Sequence, residues 1–288
     1  MTYEKIMRIA PIRKPLRLLS LIIILLRTWI MVPFRFRTLF KGFVTQEIQG
    51  RCAGSMGGVV WYVLTPLSNL CMYIFIFSVV FQIRMKPIET GTDSFVVYLL
   101  TGLFPWLAFS EAALNAPGLV VAKANLITKV LFPTEVLPIA SVIVTYLINS
   151  IGFILFLAFL LFNGYGHLMW LWFPVVVGLQ MVFSLGFVIW ISSLCVFIRD
   201  IQQFIGIVMQ IWFYLTPILF PLTMVPERYR LILTINPMYP FIELYHMILL
   251  QHQISWFLFG YAAVVAIFLF VTSIIFFDHV KTSFADVL

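Results

Sequence analysis

Charge is what this chain has least of. Only 10% of its 288 residues are Asp, Glu, Lys or Arg, against roughly 25% in a soluble domain. Six stretches contain none at all: 59–83, 95–110, 139–162, 169–198, 201–226 and 253–277. Bilayer hydrocarbon about 30 Å thick needs about 20 apolar residues per helical crossing. All of the stretches but 95–110 reach that length unaided, and that one does so by extending past Glu111. The pattern excludes a separate soluble domain of ordinary size and predicts an all-α polytopic membrane protein with six transmembrane helices.

Other scarcities remove function classes. Cys52, Cys71 and Cys195 lie in or beside apolar segments without paired spacing, so no disulfide framework or zinc site is expected. The histidines His167, His246, His252 and His279 show no metal-ligand spacing, and His252-Gln253 reads as a membrane boundary. Carboxylates are nearly missing from the apolar stretches, with Glu111 and Glu243 the nearest exceptions, which argues against a buried proton relay. No Gly-Lys-Ser or Gly-Lys-Thr occurs, so any ATP that drives this protein is bound, with its Mg, by a partner. No cofactor is expected in the chain itself.

The charge that is present is asymmetric. Ten of the eighteen basic residues precede the first long apolar stretch, the last of them Arg35, Arg37, Lys41 and Arg51. Lys/Arg-rich short loops stay cytoplasmic, which places the amino terminus inside and, after six crossings, the carboxyl terminus as well. That topology puts fourteen basic residues inside and four outside (Arg84, Lys86, Arg228 and Arg230). Segment 18–32 is apolar but short and interrupted by Arg27, and reads as a helix at the cytoplasmic interface. The net charge of +7 is therefore a topology signal and does not imply a nucleic-acid partner.

Polar side chains inside the apolar stretches are patterned. Tyr62, Thr65, Asn69 and Tyr73 share one helical face of the first crossing, and Gln203, Gly206, Gln210 and Tyr214 repeat the spacing in the fifth. Amides facing lipid lose hydrogen bonds at a cost of a few kcal/mol, so both faces should meet protein or a wet cavity. They serve either interhelical hydrogen bonding or a translocation surface. Aromatics reach 17%, with 30 Phe; most belong to lipid contacts and packing, and a minority facing a pore would stack on sugar rings. Segment 116–135, bounded by Pro117 and Pro133, is a docking-helix candidate, with Thr134 and Glu135 as helix cap and first-turn acid of the third crossing. Pro217, Pro221, Pro226, Pro237 and Pro240 interrupt the apolar run 216–251, which predicts broken or re-entrant helices on the outer side.

These residues together resemble the ABC-2 type permease family, in particular the transmembrane subunits that export O-antigen, capsular polysaccharide and teichoic acid. The resemblance covers about residues 44–278. It rests on Arg51-Cys-Ala-Gly-Ser-Met-Gly-Gly-Val-Val-Trp-Tyr-Val-Leu-Thr-Pro66, on Asn125-Leu-Ile-Thr-Lys-Val-Leu-Phe-Pro-Thr-Glu135, on Arg199-Asp200 and on Leu233-Thr-Ile-Asn-Pro-Met-Tyr-Pro240.

The resemblance implies a cytoplasmic amino-terminal region (1–58), a membrane domain (59–279) and a cytoplasmic tail (280–288) in a bacterial inner-membrane protein. The implied assembly is a homodimer with two copies of a P-loop ABC ATPase, moving a lipid-linked polysaccharide among membrane lipids. Tyr62, Asn69, Tyr73, Gln203, Gln210 and Tyr214 would then line the translocation pathway. Asn125, Lys129, Phe132, Pro133, Glu135, Arg199 and Asp200 would couple to the ATPase. Pro221, Pro226, Asn236 and Pro237 would belong to outer gate helices spanning 221–250. Arg51 would meet a lipid pyrophosphate. The alternatives are an exporter of a drug or lipid on the same fold, and a membrane-embedded glycolipid enzyme.

Overall fold

A computed structural model describes residues 14–52, 60–82, 84–129 and 133–287. Among them the regular structure is all helical apart from one isolated bridge between Arg84 and Ser94. Helices α1 (Lys14–Arg35) and α2 (Arg37–Cys52) meet at Phe36, and α3 (Val60–Tyr73) runs on through the π-helical Ile74–Val80. A single turn, α4 (Pro87–Thr90), leads to α5 (Phe95–Asn115); two short helices, α6 (Gly118–Val121) and α7 (Ala124–Lys129), lead to α8 (Val136–Phe162). Then come α9 (Phe173–Phe197), α10 (Ile201–Tyr214), α11 (Glu227–Ile235), α12 (Tyr239–His246, continued by π-helical Met247–Gln251), α13 (Trp256–Val280) and α14 (Phe284–Val287).

Among the described residues, five helical segments are long and apolar enough to cross a membrane: Val63–Val80, Phe95–Asn115, Val136–Phe162, Leu168–Phe197 and Trp256–Ser283. They correspond to five of the six expected crossings. The remaining one, expected over 201–226, is not a continuous helix: α10 has 14 residues, a length of about 21 Å. Pro217 has no N–H with which to continue the ladder. The hydroxyl of Thr216 donates back to the Trp212 carbonyl at 2.8 Å, and the Asn236 amide donates to the Leu215 carbonyl at 2.9 Å, closing the helix end with a side chain from the distant α11–α12 turn.

Local signals set the other boundaries. Ser94 caps α5 and Ser255 caps α13, each accepting from the backbone N–H three residues on. The expected cap at Thr134 does not form. Helix α8 begins one residue later, with Glu135 at the cap position making no side-chain cap bond, because its carboxylate is 3.0 Å from the Lys281 ammonium.

The core lies where α5, α9, α12 and α13 meet. Phe109, fully buried, touches the rings of Trp106, Phe183, Phe187 and Trp212. Gly186 on α9 lets the α13 backbone approach so closely that a Cβ there would lie 2.8 Å from the Phe270 nitrogen, the small-residue device of close helix crossings. The broken helix α12, expected at the outer side, is packed into this core: Phe241, Ile242, Leu244, Tyr245 and His246 are all buried.

Candidate functional site: a polar groove and a basic face

A groove of about 520 Å³ runs between α3, α5 and α8. Three members of the polar face read from the sequence of α3 line it: Thr65, Asn69 and Tyr73. Opposite them stands a pair that no helical spacing in the sequence marks. The Asn149 amide donates to Glu111 Oε2 at 2.7 Å and to the Thr145 carbonyl at 3.0 Å. Each residue is isolated in its own sequence neighbourhood, Glu111 at the end of a charge-free stretch and Asn149 within one, so no periodicity singles them out. Only the packing of α5 on α8 joins them. Trp61, about half exposed, completes the groove wall. Carboxyl, amide, hydroxyl and aromatic face in one cleft form a set suited to a polyhydroxylated ligand.

The second polar face does not join this groove. Gln203, Gln210 and Tyr214 lie on the exposed side of α10, while Ile205 and Met209 turn into the core. An amide on an uncovered membrane helix calls for a hydrogen-bonding neighbour. The side chains of Tyr62, Arg51 and Lys129 lie outside the described residues, as does Phe132 entirely.

At one end of the bundle the loop ends and basic residues gather. Asn125 is exposed on α7, and Arg199 and Asp200 are exposed in the turn between α9 and α10. Glu135 is directed inward: it accepts from Lys281, which also pairs with Asp278 at 2.5 Å. Residues 281–287, expected to be a tail, are part of the body. Phe284 is fully buried, edge-on to Phe277 at 5.5 Å, in a cluster that includes Val120 and Val136. Helix α14 packs on α7, so the loop, the last long helix and the carboxyl terminus form one unit. Helix α1 joins the same cluster through Trp29, 5.1 Å from the Phe277 ring.

At the opposite end, Thr223 donates to Glu89 at 2.6 Å and Lys86 lies 3.4 Å away. Those two hydrogen bonds, the Thr223 one first, hold the Glu89 carboxyl below its ordinary pKa. The expected outer-gate residues divide here. Pro226 is exposed, whereas Asn236 is nearly buried, accepting from the Trp212 indole at 2.7 Å and from the Met238 backbone, and donating to Leu215 and Thr216. Pro221 is buried and Pro237 partly so. Asn236 is thus a fixed junction between α10 and α12. Nearby, His252 stacks on His167 at 4.5 Å, and burial, helped by His167, pushes its pKa down.

Among the described residues no group of three or more His, Cys, Asp or Glu could hold a metal ion.

Similarity to known proteins follows the same outline. Residues 38–250 match the ABC-2 type transporter family. The chain is 29% identical over 245 residues to the O-antigen export system permease protein RfbA of Klebsiella pneumoniae, covering 84% of this chain and 92% of the relative. It is 31% identical over 228 residues to a protein of the same name from Myxococcus xanthus, covering 77% of this chain and 84% of the relative. A more distant relative is the polysialic acid transport protein KpsM of Escherichia coli, 25% identical over 210 residues, covering 69% of this chain and 76% of the relative. An all-helical fold with apolar spans, a family match across most of its length and relatives aligned over most of theirs lead to one conclusion: this chain is a multi-pass membrane protein that belongs to the ABC-2 type transporter family.

Proposed function

We propose that this chain is the membrane-spanning subunit of an ATP-driven exporter of lipid-linked polysaccharide of the O-antigen, capsule or teichoic acid type, working across a bacterial inner membrane. The observation that carries the reading is the alignment, over 84% of the chain, with a permease named for O-antigen export. The groove supports it chemically, since Asn149 and Glu111 offer donor and acceptor groups to sugar hydroxyls and Trp61 and Tyr73 offer ring faces.

ATP is hydrolysed on a separate ABC ATPase, and the face formed by α6, α7 and the Arg199-Asp200 turn receives it, with both chain termini on that cytoplasmic side. The ion pairs of Lys281 with Glu135 and Asp278 support a stiff linkage from that face to α13, because the pairs join the loop to the end of the last long helix. A homodimer is supported by the exposed amides Gln203 and Gln210 and by the thin cover over α3, both of which a second copy supplies with protein neighbours.

A mild-detergent pull-down of the natively expressed chain, followed by mass spectrometry, tests the assignment. Equal recovery of a P-loop ATPase is the expected result. Its absence from a preparation that retains its oligomer overturns the exporter reading, and intact surface glycan in cells lacking the chain overturns the substrate.

A further inference from the structure

A second crevice, of about 250 Å³, lies between α5, α8 and α9, with Phe104 and Asn149 common to its lining and to that of the polar groove. None of the roles above uses it. Its floor is made by Phe104, Pro105 and Ala108 of α5, Gln180 of α9 and Tyr245 of α12, all of them buried. Its rim includes Leu147 and Ile154 of α8, both exposed. The space therefore runs from the outside of the bundle down to the buried face of α5, deeper than lipid lying against a helix surface reaches. Helices α5, α8 and α9 all supply membrane spans, so hydrocarbon is what stands outside the rim.

The polar side chains of the wall are the second and independent sign, because each already has a partner within the protein. The Gln180 amide donates to the Pro105 carbonyl at 2.8 Å and accepts from the Tyr245 hydroxyl at 2.7 Å. Tyr146 pairs with the Ser184 hydroxyl at 2.7 Å, and Ser150 returns its proton to the Leu147 carbonyl at 2.6 Å. Asn149 donates to Glu111 and to the Thr145 carbonyl. Buried water needs about two to four polar partners, so a wall satisfied in this way suits an apolar occupant instead. Along α8 the lining extends from Ile143 to Leu157, about 21 Å of helix. A space so long for its volume suits one flexible chain better than a fused ring system. Left empty, it would deprive Phe153 and Phe173 of contacts on one side, and van der Waals packing is much of what holds helices together in lipid.

We infer that this crevice holds one fatty-acyl chain of a membrane phospholipid. The chain enters sideways between α8 and α9, and its headgroup stays at the membrane surface beside the turn that joins them, where Trp170 and Trp172 lie. The tail of a substrate seated in the groove does not reach the crevice, because the packed contact of α5 with α8 lies between the two spaces. A seated acyl chain braces α8 against α9 from behind the groove wall that α8 supplies. The assignment stands on the crevice itself and does not depend on what is exported.

The test uses the full-length protein in vesicles of phosphatidylethanolamine and phosphatidylglycerol, doped with a phosphatidylcholine that carries a diazirine on its acyl chain. After irradiation, labelled peptides are identified by mass spectrometry. Labelling within 143–157 and 173–181 should saturate as the probe content is raised, whereas labelling at the exposed Phe268 of α13 should rise in proportion to it. Ala108→Leu and Val177→Phe, each checked by thermal unfolding, put carbon into the crevice and should lower the labelling of those two segments about fivefold, with that of Phe268 unchanged. The wild-type comparison decides even where a variant does not fold. Proportional labelling at all three places, or undiminished labelling of the two segments in a folded variant, overturns the site. Saturable labelling by a diazirine-bearing polyprenyl phosphate, with none by the phosphatidylcholine probe, overturns the phospholipid.

Discussion

Helices α3 and α5 are neighbours of similar apolarity and opposite fate. The α5 span has mean hydropathy 1.5 and is mostly buried inside the protein; the α3 span has mean hydropathy 1.9 and is almost wholly uncovered. The more apolar helix is the more exposed one. In water that would be a contradiction, but lipid tails are as apolar as leucine, so burial in a membrane protein follows packing and hydrogen bonding instead of hydropathy. Helix α5 is fixed by Phe109 among aromatic rings and by Gln180, which donates to the Pro105 carbonyl at 2.8 Å while accepting from Tyr245 at 2.7 Å. Helix α3 touches its neighbours mainly along one edge, where a Cβ at Gly152 of α8 would stand 2.7 Å from Pro66. A scaffold and a loosely held helix therefore enclose the polar groove between them. That division suits a wall that changes position beside one that does not.

The contrast breaks or sharpens under substitution. The largest effect is expected at Phe109→Ala, which should cost about 3–5 kcal/mol of stability, whereas Leu64→Ala on the exposed side of α3 should stay within about 0.5 kcal/mol for the single subunit. Thermal unfolding of the purified proteins compares them, and equal losses would abolish the distinction between scaffold and loose helix. Gly186→Val forces apart α9 and α13 and should cost about 1–3 kcal/mol in the same assay; an unchanged melting temperature would mean the crossing is not tight.

Glu111→Gln keeps the shape of the groove and alters its chemistry. Export of long glycan chains should slow about tenfold while the melting temperature holds, and undiminished export would remove the groove from the pathway. Lys281→Glu should lower stability by about 1–3 kcal/mol, because it takes the partner from the mostly buried Glu135 carboxylate and sets a like charge beside it and Asp278, and reduce the coupling of ATP hydrolysis to export. Adding Glu135→Lys should restore part of both, and no recovery would detach the pair from coupling.

The smallest effect concerns His252, whose pKa is lowered on folding, chiefly by burial. Above the ordinary histidine pKa both states are neutral and its contribution is intact. As pH falls below that value the unfolded state takes up the proton first, and stability declines until the folded pKa is passed. His252→Gln should flatten the melting temperature between pH 7.5 and pH 5, and an unchanged slope would mean that His252 does not titrate on unfolding.

Much of the fold was legible in the sequence because an absence of charge over about 20 residues has one physical meaning in a bilayer. The segment 201–226 shows where that logic stops. It contains no charge, yet α10 ends at Tyr214, since Pro217 removes a donor and Asn236, some 20 residues later, supplies the replacement bond to Leu215. Thr134-Glu135 has the composition of a helix cap, but a partner 146 residues away takes the carboxylate. Half of the groove was visible as the Thr65, Asn69 and Tyr73 face. Glu111 and Asn149 were not, because two isolated polar residues carry no period.

By itself the sequence determined the solvent, the helical class, the end of the molecule where positive charge collects and the family resemblance, since each is set by composition or by short-range spacing. Tertiary structure alone decided which apolar helix is buried, which polar face lines a cavity and that the last residues join the body. Those are matters of contact between segments far apart in the chain, which local patterns do not encode.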